Sequence, residues 1–193
     1  MPTVFRANYR PPAFLVDQIE LVFELDPDRT LVTSTLEVRR NPAAASADAP
    51  LVLDGEALEL LGVEVNGRPV TPDALQVTDT ALTLTGLGER ATVKVRNALA
   101  PARNSELMGL YVSNSTLFTQ CEAEGFRRIT FFPDRPDVMS RYSVELRAER
   151  ARYPVLLANG NLEAQGEVAQ HPGWHWARWI DPHPKPSYLF ALV

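Results

Sequence analysis

The sequence predicts an all-β fold, a mostly antiparallel, saddle-like sandwich of short strands with one short helical turn near Pro136–Arg141. Three observations lead there. Apolar side chains recur with period two along most segments. Turn signals separate those segments at a spacing of roughly 8–12 residues. Sixteen prolines against ten glycines require many chain reversals, because proline is excluded from helix interiors and central strands.

Taken in order, the first strand runs from Gln18 to Leu25. Ile19, Leu21, Phe23 and Leu25 alternate there with Glu20 and Glu24, and Val22 breaks the pattern. Asp26-Pro27-Asp28-Arg29 supplies turn chemistry. Leu31 to Arg39 returns with Val32, Leu36 and Val38 on one face, the pattern of an antiparallel hairpin with one wet side. Asn41 to Pro50 is rich in Ala and Pro, has no period, and reads as a loop. Leu51 to Leu53 is a strand ended by Asp54-Gly55. Glu59 to Val65 meets Asn66-Gly67, the strongest short hairpin signal in the chain. Further strands are read at Leu75–Val77, Ala81–Leu84, Ala91–Val95, Thr116–Cys121, Ser143–Ala148, Val155–Ala158 and Trp174–Trp179, with a tight turn at Asn159-Gly160. Asp134-Arg135-Pro136-Asp137 places an acceptor and a proline where a helix would begin, so Val138 to Arg141 is the one helical turn.

The chain has 193 residues, 45% of them hydrophobic, enough for one sizeable core. No repeat, low-complexity tract or linker divides it, so a single domain over 1–193 is expected. A net charge of −5 lacks the positive field that nucleic-acid binding needs. No apolar run reaches the roughly 18 residues of a membrane span. Met1 to Arg10 carries arginines without a following apolar stretch, so it does not read as a secretory signal. The single cysteine, Cys121, excludes an internal disulfide and suits a reducing compartment. A cytoplasmic location is expected.

Several catalytic signatures are absent. There is no His-Glu-x-x-His, no Gly-x-Ser-x-Gly and no phosphate-binding glycine loop. His171 and His175 stand four apart, but the Pro172-Gly173 between them is turn material, so with His183 they read as packed or solvated rather than as metal ligands. Cys121 has no candidate base near it in sequence and reads as a buried structural thiol. The informative stretch is Thr119 to Tyr142, where charged side chains are interleaved with Phe126, Phe131 and Phe132. If Thr116 to Glu122 is a strand, Phe118, Gln120 and Glu122 share a face. Gln120 and Glu122 then form a pair able to hold an ammonium group. A solvated face with surface ion pairs is the other reading, and spacing alone favours it.

The run Thr119-Gln120-Cys121-Glu122-Ala123-Glu124-Gly125-Phe126-Arg127, followed by Phe131-Phe132-Pro133-Asp134-Arg135-Pro136-Asp137-Val138, resembles a signature near the end of the first domain of the aminopeptidase N family of zinc exopeptidases. The similarity extends to Tyr9-Arg10-Pro11-Pro12, Leu53-Asp54-Gly55-Glu56, Gly109-Leu110-Tyr111, Tyr153 to Asn161, Asp181 to Pro186 and Tyr188 to Val193. It covers essentially the whole chain and is closest to the bacterial branch.

The resemblance implies a β saddle packed over a thermolysin-like catalytic domain, with the chain's partners being that downstream domain and peptide N-termini. It implies that Glu122 binds the free α-amino group of a peptide and that Gln120 lines the pocket for its first side chain. Zinc would belong to the parent enzyme, a broad-specificity, alanyl-type aminopeptidase. The ligands and general base lie outside this chain, which is therefore expected to bind no catalytic metal and to be inactive alone. Surface facing the catalytic domain, including Phe126, Phe131, Phe132 and Tyr188 to Val193, is expected to be exposed here. Two rivals stand beside this reading. One is a free-standing β-sandwich binding peptide or carbohydrate on Trp174, Trp176 and Trp179; the other is a structural module.

Overall fold

The computed structural model describes residues 5–193 apart from Ala45 and Ala47. The reading of Met1–Arg10 as no leader, and of Asn41–Pro50 as a loop, each falls partly outside the described residues. The strands are β1 (Phe14–Glu24), β2 (Thr30–Arg40), β3 (Leu51–Asp54), β4 (Glu59–Val65), β5 (Arg68–Pro69), β6 (Leu75–Val77), β7 (Ala81–Leu84), β8 (Arg90–Leu99), β9 (Gly109–Ser113), β10 (Thr116–Gln120), β11 (Ser140–Glu149), β12 (Asn161–Glu167) and β13 (Trp174–Lys185). Helical structure among the described residues is confined to three-residue 3₁₀ turns, and none is long and apolar enough to cross a membrane.

Eight strands form one sheet in the order β12-β13-β11-β1-β2-β8-β4-β5, while β3-β7-β6 and β10-β9 make two smaller ones. Every pairing in the large sheet is antiparallel except β1 with β11. That parallel pair needs a long crossover, and the crossover carries both small sheets and the Thr119–Asp137 stretch. The alternation in β1 puts Ile19, Leu21 and Phe23 in the core, and Val32, Leu36 and Val38 of β2 join them. A register shift between Val16 and Gln18 resets the phase, so Phe14 and Val16 also point inward. Asn66 and Gly67 both have positive φ, 52° and 74°, the requirement of the tight hairpin between β4 and β5.

Four expectations are corrected. The Pro136–Arg141 helix reduces to one turn closed by the Val138 N–H donating to the Arg135 carbonyl; strand β11 then begins at Ser140, because pairing to β1 and β13 outweighs the local cap signal. Val155–Ala158 forms no strand and makes only an isolated bridge, Ala158 to Leu192. Strands β9 and β12 arise where no strand was read. Phe126, Phe131 and Phe132 are buried within this chain, as are Phe190 and Leu192, while Leu189 and Val193 are exposed. The three phenylalanines are covered because their segment folds back on β3, where Asp54 and Phe132 exchange backbone hydrogen bonds of 2.8 and 3.1 Å.

A buried polar cluster pins that segment to the large sheet. The Thr130 hydroxyl lies 3.1 Å from Ser34 Oγ and donates to Asn97 Oδ1 at 2.9 Å, and Asn97 Nδ2 donates to the Ile129 carbonyl at 3.0 Å. Ser34 and Asn97 occupy inward positions of β2 and β8, and all three residues are fully buried. Satisfied in this way they fix one placement of the segment rather than penalising it.

Candidate amine-recognition site

The site grows from the end of β10. That strand pairs with β9 in a register placing Gln120 opposite Gly109. Gly109 has φ +76°, a conformation that side chains other than glycine's rarely adopt. After Gln120 the chain turns inward, burying Cys121, and outward again through Glu122, Ala123 and Glu124, which are exposed; the Glu122–Ala123 peptide is cis. The Gly125 N–H donates to the Cys121 carbonyl at 2.9 Å and closes this turn. A Cβ at Gly125 would sit 2.3 Å from the Gln120 carbonyl oxygen and 2.9 Å from Cys121 Cα, so only glycine lets the backbone approach so closely. The next turn, Phe126–Arg128, is anchored by the Phe126 ring, which is fully buried among Phe132, Phe190 and Tyr142.

Gln120 and Glu122 are brought together, though not as strand neighbours. The strand ends at Gln120, and contact comes from the turn: Gln120 Nε2 donates to the Glu122 backbone carbonyl at 3.2 Å. Both side chains face outward. Cys121 is a buried free thiol, as read from the sequence, and its pKa is pushed far up by burial and, secondarily, by Asp134.

The arginines around the turn are committed elsewhere. Arg127 donates from its backbone N–H and from Nε to Asp134 Oδ2, both at 3.1 Å, and also approaches Glu124 at 3.3 Å and Glu56 at 4.0 Å. Burial opposes the Arg127 charge, but Asp134, Asp54 and Glu124 outweigh it and hold the guanidinium above its ordinary pKa. Arg128 meets Glu56 at 3.4 Å, and Arg135 meets Asp137 at 2.7 Å. The Arg135 hydrogen bond is the main reason that Asp137 titrates below the usual carboxylate range. Glu56, Glu124, Asp134 and Asp137 thus each have an arginine partner. The Glu122 carboxylate has none among the described residues.

The remaining sequence candidates lie apart from this turn. The buried His175 Nε2 donates to the Tyr153 carbonyl at 2.7 Å, His171 packs beside Trp174, and His183 is exposed. No group of three or more His, Cys, Asp or Glu side chains among the described residues could hold a metal ion. Trp174 and Trp176 share the outer face of β13. Trp179 packs against the core and donates from Nε1 to the Leu156 carbonyl at 3.1 Å. Sequence reasoning missed Asp54, Thr119 and the Thr130 cluster. The hint for the last was a small polar residue, Ser34, at an inward position between Val32 and Leu36.

Comparison with known proteins places this architecture. Aminopeptidase N of Escherichia coli (strain K12) is 47% identical over 189 residues, which are 98% of this chain and 21% of that protein. Aminopeptidase N of Caulobacter vibrioides is 46% identical over 187 residues, again 21% of its length. The chain therefore spans about a fifth of these relatives. The structure of Legionella pneumophila aminopeptidase A in complex with aspartic acid matches with a TM-score of 0.90 at 32% identity, over 96% of this chain and 22% of that one. An M1 zinc metallopeptidase from Deinococcus radiodurans shares the fold, with a TM-score of 0.78 at 18% identity over 95% of this chain and 42% of its own. The model of the peptidase M1 N-terminal domain matches residues 18–189, and the chain belongs to that family.

Proposed function

We propose that this domain forms the amine-recognition wall of a zinc aminopeptidase that releases N-terminal residues from peptides, with broad, alanyl-type preference. The observation that carries the reading is the unpaired Glu122 carboxylate, exposed on a turn where Glu56, Glu124, Asp134 and Asp137 each already have an arginine. A carboxylate left without an internal cation is available to an external one, and the free α-ammonium of a peptide fits it. In a cleft closed by a second domain that charge-assisted contact is far stronger than in water. Gln120, tied to the same turn, lines the pocket for the first side chain.

Holding the amine at a fixed point sets which peptide bond reaches the reacting centre, and so makes the enzyme an exopeptidase. Glu122 acts as a counter-charge and transfers no proton. In the parent, a bound zinc would supply Lewis-acid polarisation of the scissile carbonyl and an activated water. Its ligands would belong to the downstream catalytic domain, since no group of side chains among the described residues of this chain fits a metal site. The chain by itself then lacks the means to hydrolyse a peptide. A cytoplasmic setting belongs to the same proposal.

Glu122→Ala in the full-length enzyme is the test. Losing the buried partner of a charge-assisted contact costs about 2–5 kcal/mol, so the transition-state stabilisation read from kcat/KM for an aminoacyl anilide should fall by that amount. An unchanged kcat/KM would retire the assignment.

A further inference from the structure

The residue before Gln120 makes an unusual pair of bonds. Thr119 Oγ1 accepts the Leu192 N–H at 2.9 Å and donates to the Leu192 carbonyl at 3.2 Å. One hydroxyl therefore satisfies both backbone polar groups of a residue 73 positions later. Leu192 lies in a terminal segment that other contacts also hold in place. Leu157 and Val193 exchange backbone bonds of 2.8 and 2.9 Å. Asn159 Nδ2 donates to the Leu189 carbonyl at 3.2 Å, and its Oδ1 accepts the Ala191 N–H at 2.7 Å. From the core side, the Phe190 ring meets Phe126 edge-on at 5.0 Å, one residue beyond the turn that carries Glu122.

The family match is to an N-terminal domain and closes at residue 189, and the relatives run to about five times this length; on the proposed reading Leu189–Val193 is the segment that leads toward the rest of the enzyme. The Gln120–Glu122 turn and that exit segment are thus joined twice, by the Thr119 hydroxyl and by the Phe126–Phe190 ring pair. The ring pair is apolar packing and tolerates sliding. The hydroxyl is directional and sets a register.

The geometry points to Thr119 as a positioning residue for amine recognition: by clamping Leu192 it fixes the Glu122 turn relative to the segment that leads into the catalytic domain. This rests on the reading of Glu122 as the amine anchor. An anchor and a reacting centre on different domains engage one peptide together only at a fixed separation, so displacing the anchor weakens the charge-assisted amine contact and with it the binding of substrate. Valine at 119 keeps the shape of threonine and removes both bonds. Serine keeps the hydroxyl.

The experiment measures kcat and KM of the full-length enzyme on alanyl-4-nitroanilide for Thr119→Val, Thr119→Ser and Glu122→Gln. Thr119→Val is expected to raise KM about tenfold and to change kcat by less than about twofold, the signature of lost binding. A loss of stability alone would reduce the folded fraction, lowering apparent kcat and leaving KM in place. Thr119→Ser should return KM to near the wild-type value. If the valine variant does not fold, Thr119→Ala carries the same comparison against serine. Wild-type KM in the hydroxyl-less variant, or a serine variant no better than it, overturns the positioning role. If Glu122→Gln also leaves KM unaltered, the amine-anchor reading fails with it; a raised KM in Glu122→Gln beside a wild-type KM at 119 removes the role of Thr119 alone.

Discussion

Glu145 on β11 and Glu122 beyond β10 are both acids set among arginines, and the fold treats them in opposite ways. Glu145 is almost fully buried on the outer side of the large sheet, where Oε1 meets Arg147 and Oε2 meets Arg178, each at 2.6 Å. Arg178 also lies 6.0 Å over the Trp176 ring. On that face, which holds the tryptophans of the rival binding-platform reading, Glu145 has both carboxylate oxygens satisfied by arginines and Trp176 packs against Gly166 of β12. The turn after β10 uses its arginines on four other acids and leaves Glu122 free. A self-satisfied charge network fixes structure, whereas a carboxylate left over on a rigid base can take a ligand. The contrast favours the turn over the tryptophan face as the place where something binds.

The comparison depends on the base beneath Glu122 being rigid, and Phe126 supplies that rigidity. Its ring is fully buried and meets Phe132 at 5.2 Å and Phe190 at 5.0 Å. Truncating a buried phenylalanine typically costs about 3–5 kcal/mol through lost transfer and cavity formation. Phe126→Ala should destabilise the chain by that amount in urea unfolding. A loss below about 1 kcal/mol would mean that the turn stands without its apolar anchor, contrary to the usual cost of such cavities.

The sheets were more legible in the sequence than the site. Strands β1, β2 and β4 declare themselves by alternation or by the Asn66-Gly67 turn, because both signals are local. Strand β12 does not: it pairs only along one edge and most of its side chains are exposed, so no apolar face was there to read. The three phenylalanines were expected to be exposed as part of the surface that faces the catalytic domain. Their burial depends on the bridge between Asp54 and Phe132, a contact no local pattern encodes. Gln120 and Glu122 were singled out by residue type and resemblance, and the structure brings them together by a route other than the period-two argument. The turn closed by Gly125, rather than a shared strand face, brings them together.

A smaller effect separates the two acids by stability. Glu145→Ala leaves Arg147 and Arg178 without their common partner. Both arginines are substantially exposed, at 36% and 46% of the side chain, so solvent screens much of the loss and about 0.5–1.5 kcal/mol is expected. Glu122→Ala removes no internal contact of its carboxylate and should leave the unfolding free energy within about 0.5 kcal/mol of wild type. Equal destabilisation by the two changes, measured by urea unfolding at neutral pH, would erase the distinction drawn between them.

Acid sharpens the same contrast, and its sign follows from linkage. Burial acts to raise the Glu145 pKa, but the hydrogen bonds and charges of Arg147 and Arg178 outweigh it, and the folded-state value lies below the ordinary 4.5. Above that ordinary value Glu145 is ionised in both states, and its pairing contributes fully to stability. As pH falls below 4.5 the unfolded chain takes up the proton first, and the contribution disappears as the pH passes through the lowered folded-state pKa. Glu145→Gln lacks this ionisation, so the difference in unfolding free energy between wild type and Glu145→Gln should be largest near pH 7 and should shrink steadily once the pH drops below 4.5. Glu122→Gln, which alters no internal ion pair, should track wild type across the same range. A gap for Glu145→Gln that stayed constant on acidification would show that the side chain contributes by packing alone. Its arginines would then be incidental, and the Glu145 network would no longer differ in kind from the turn that presents Glu122.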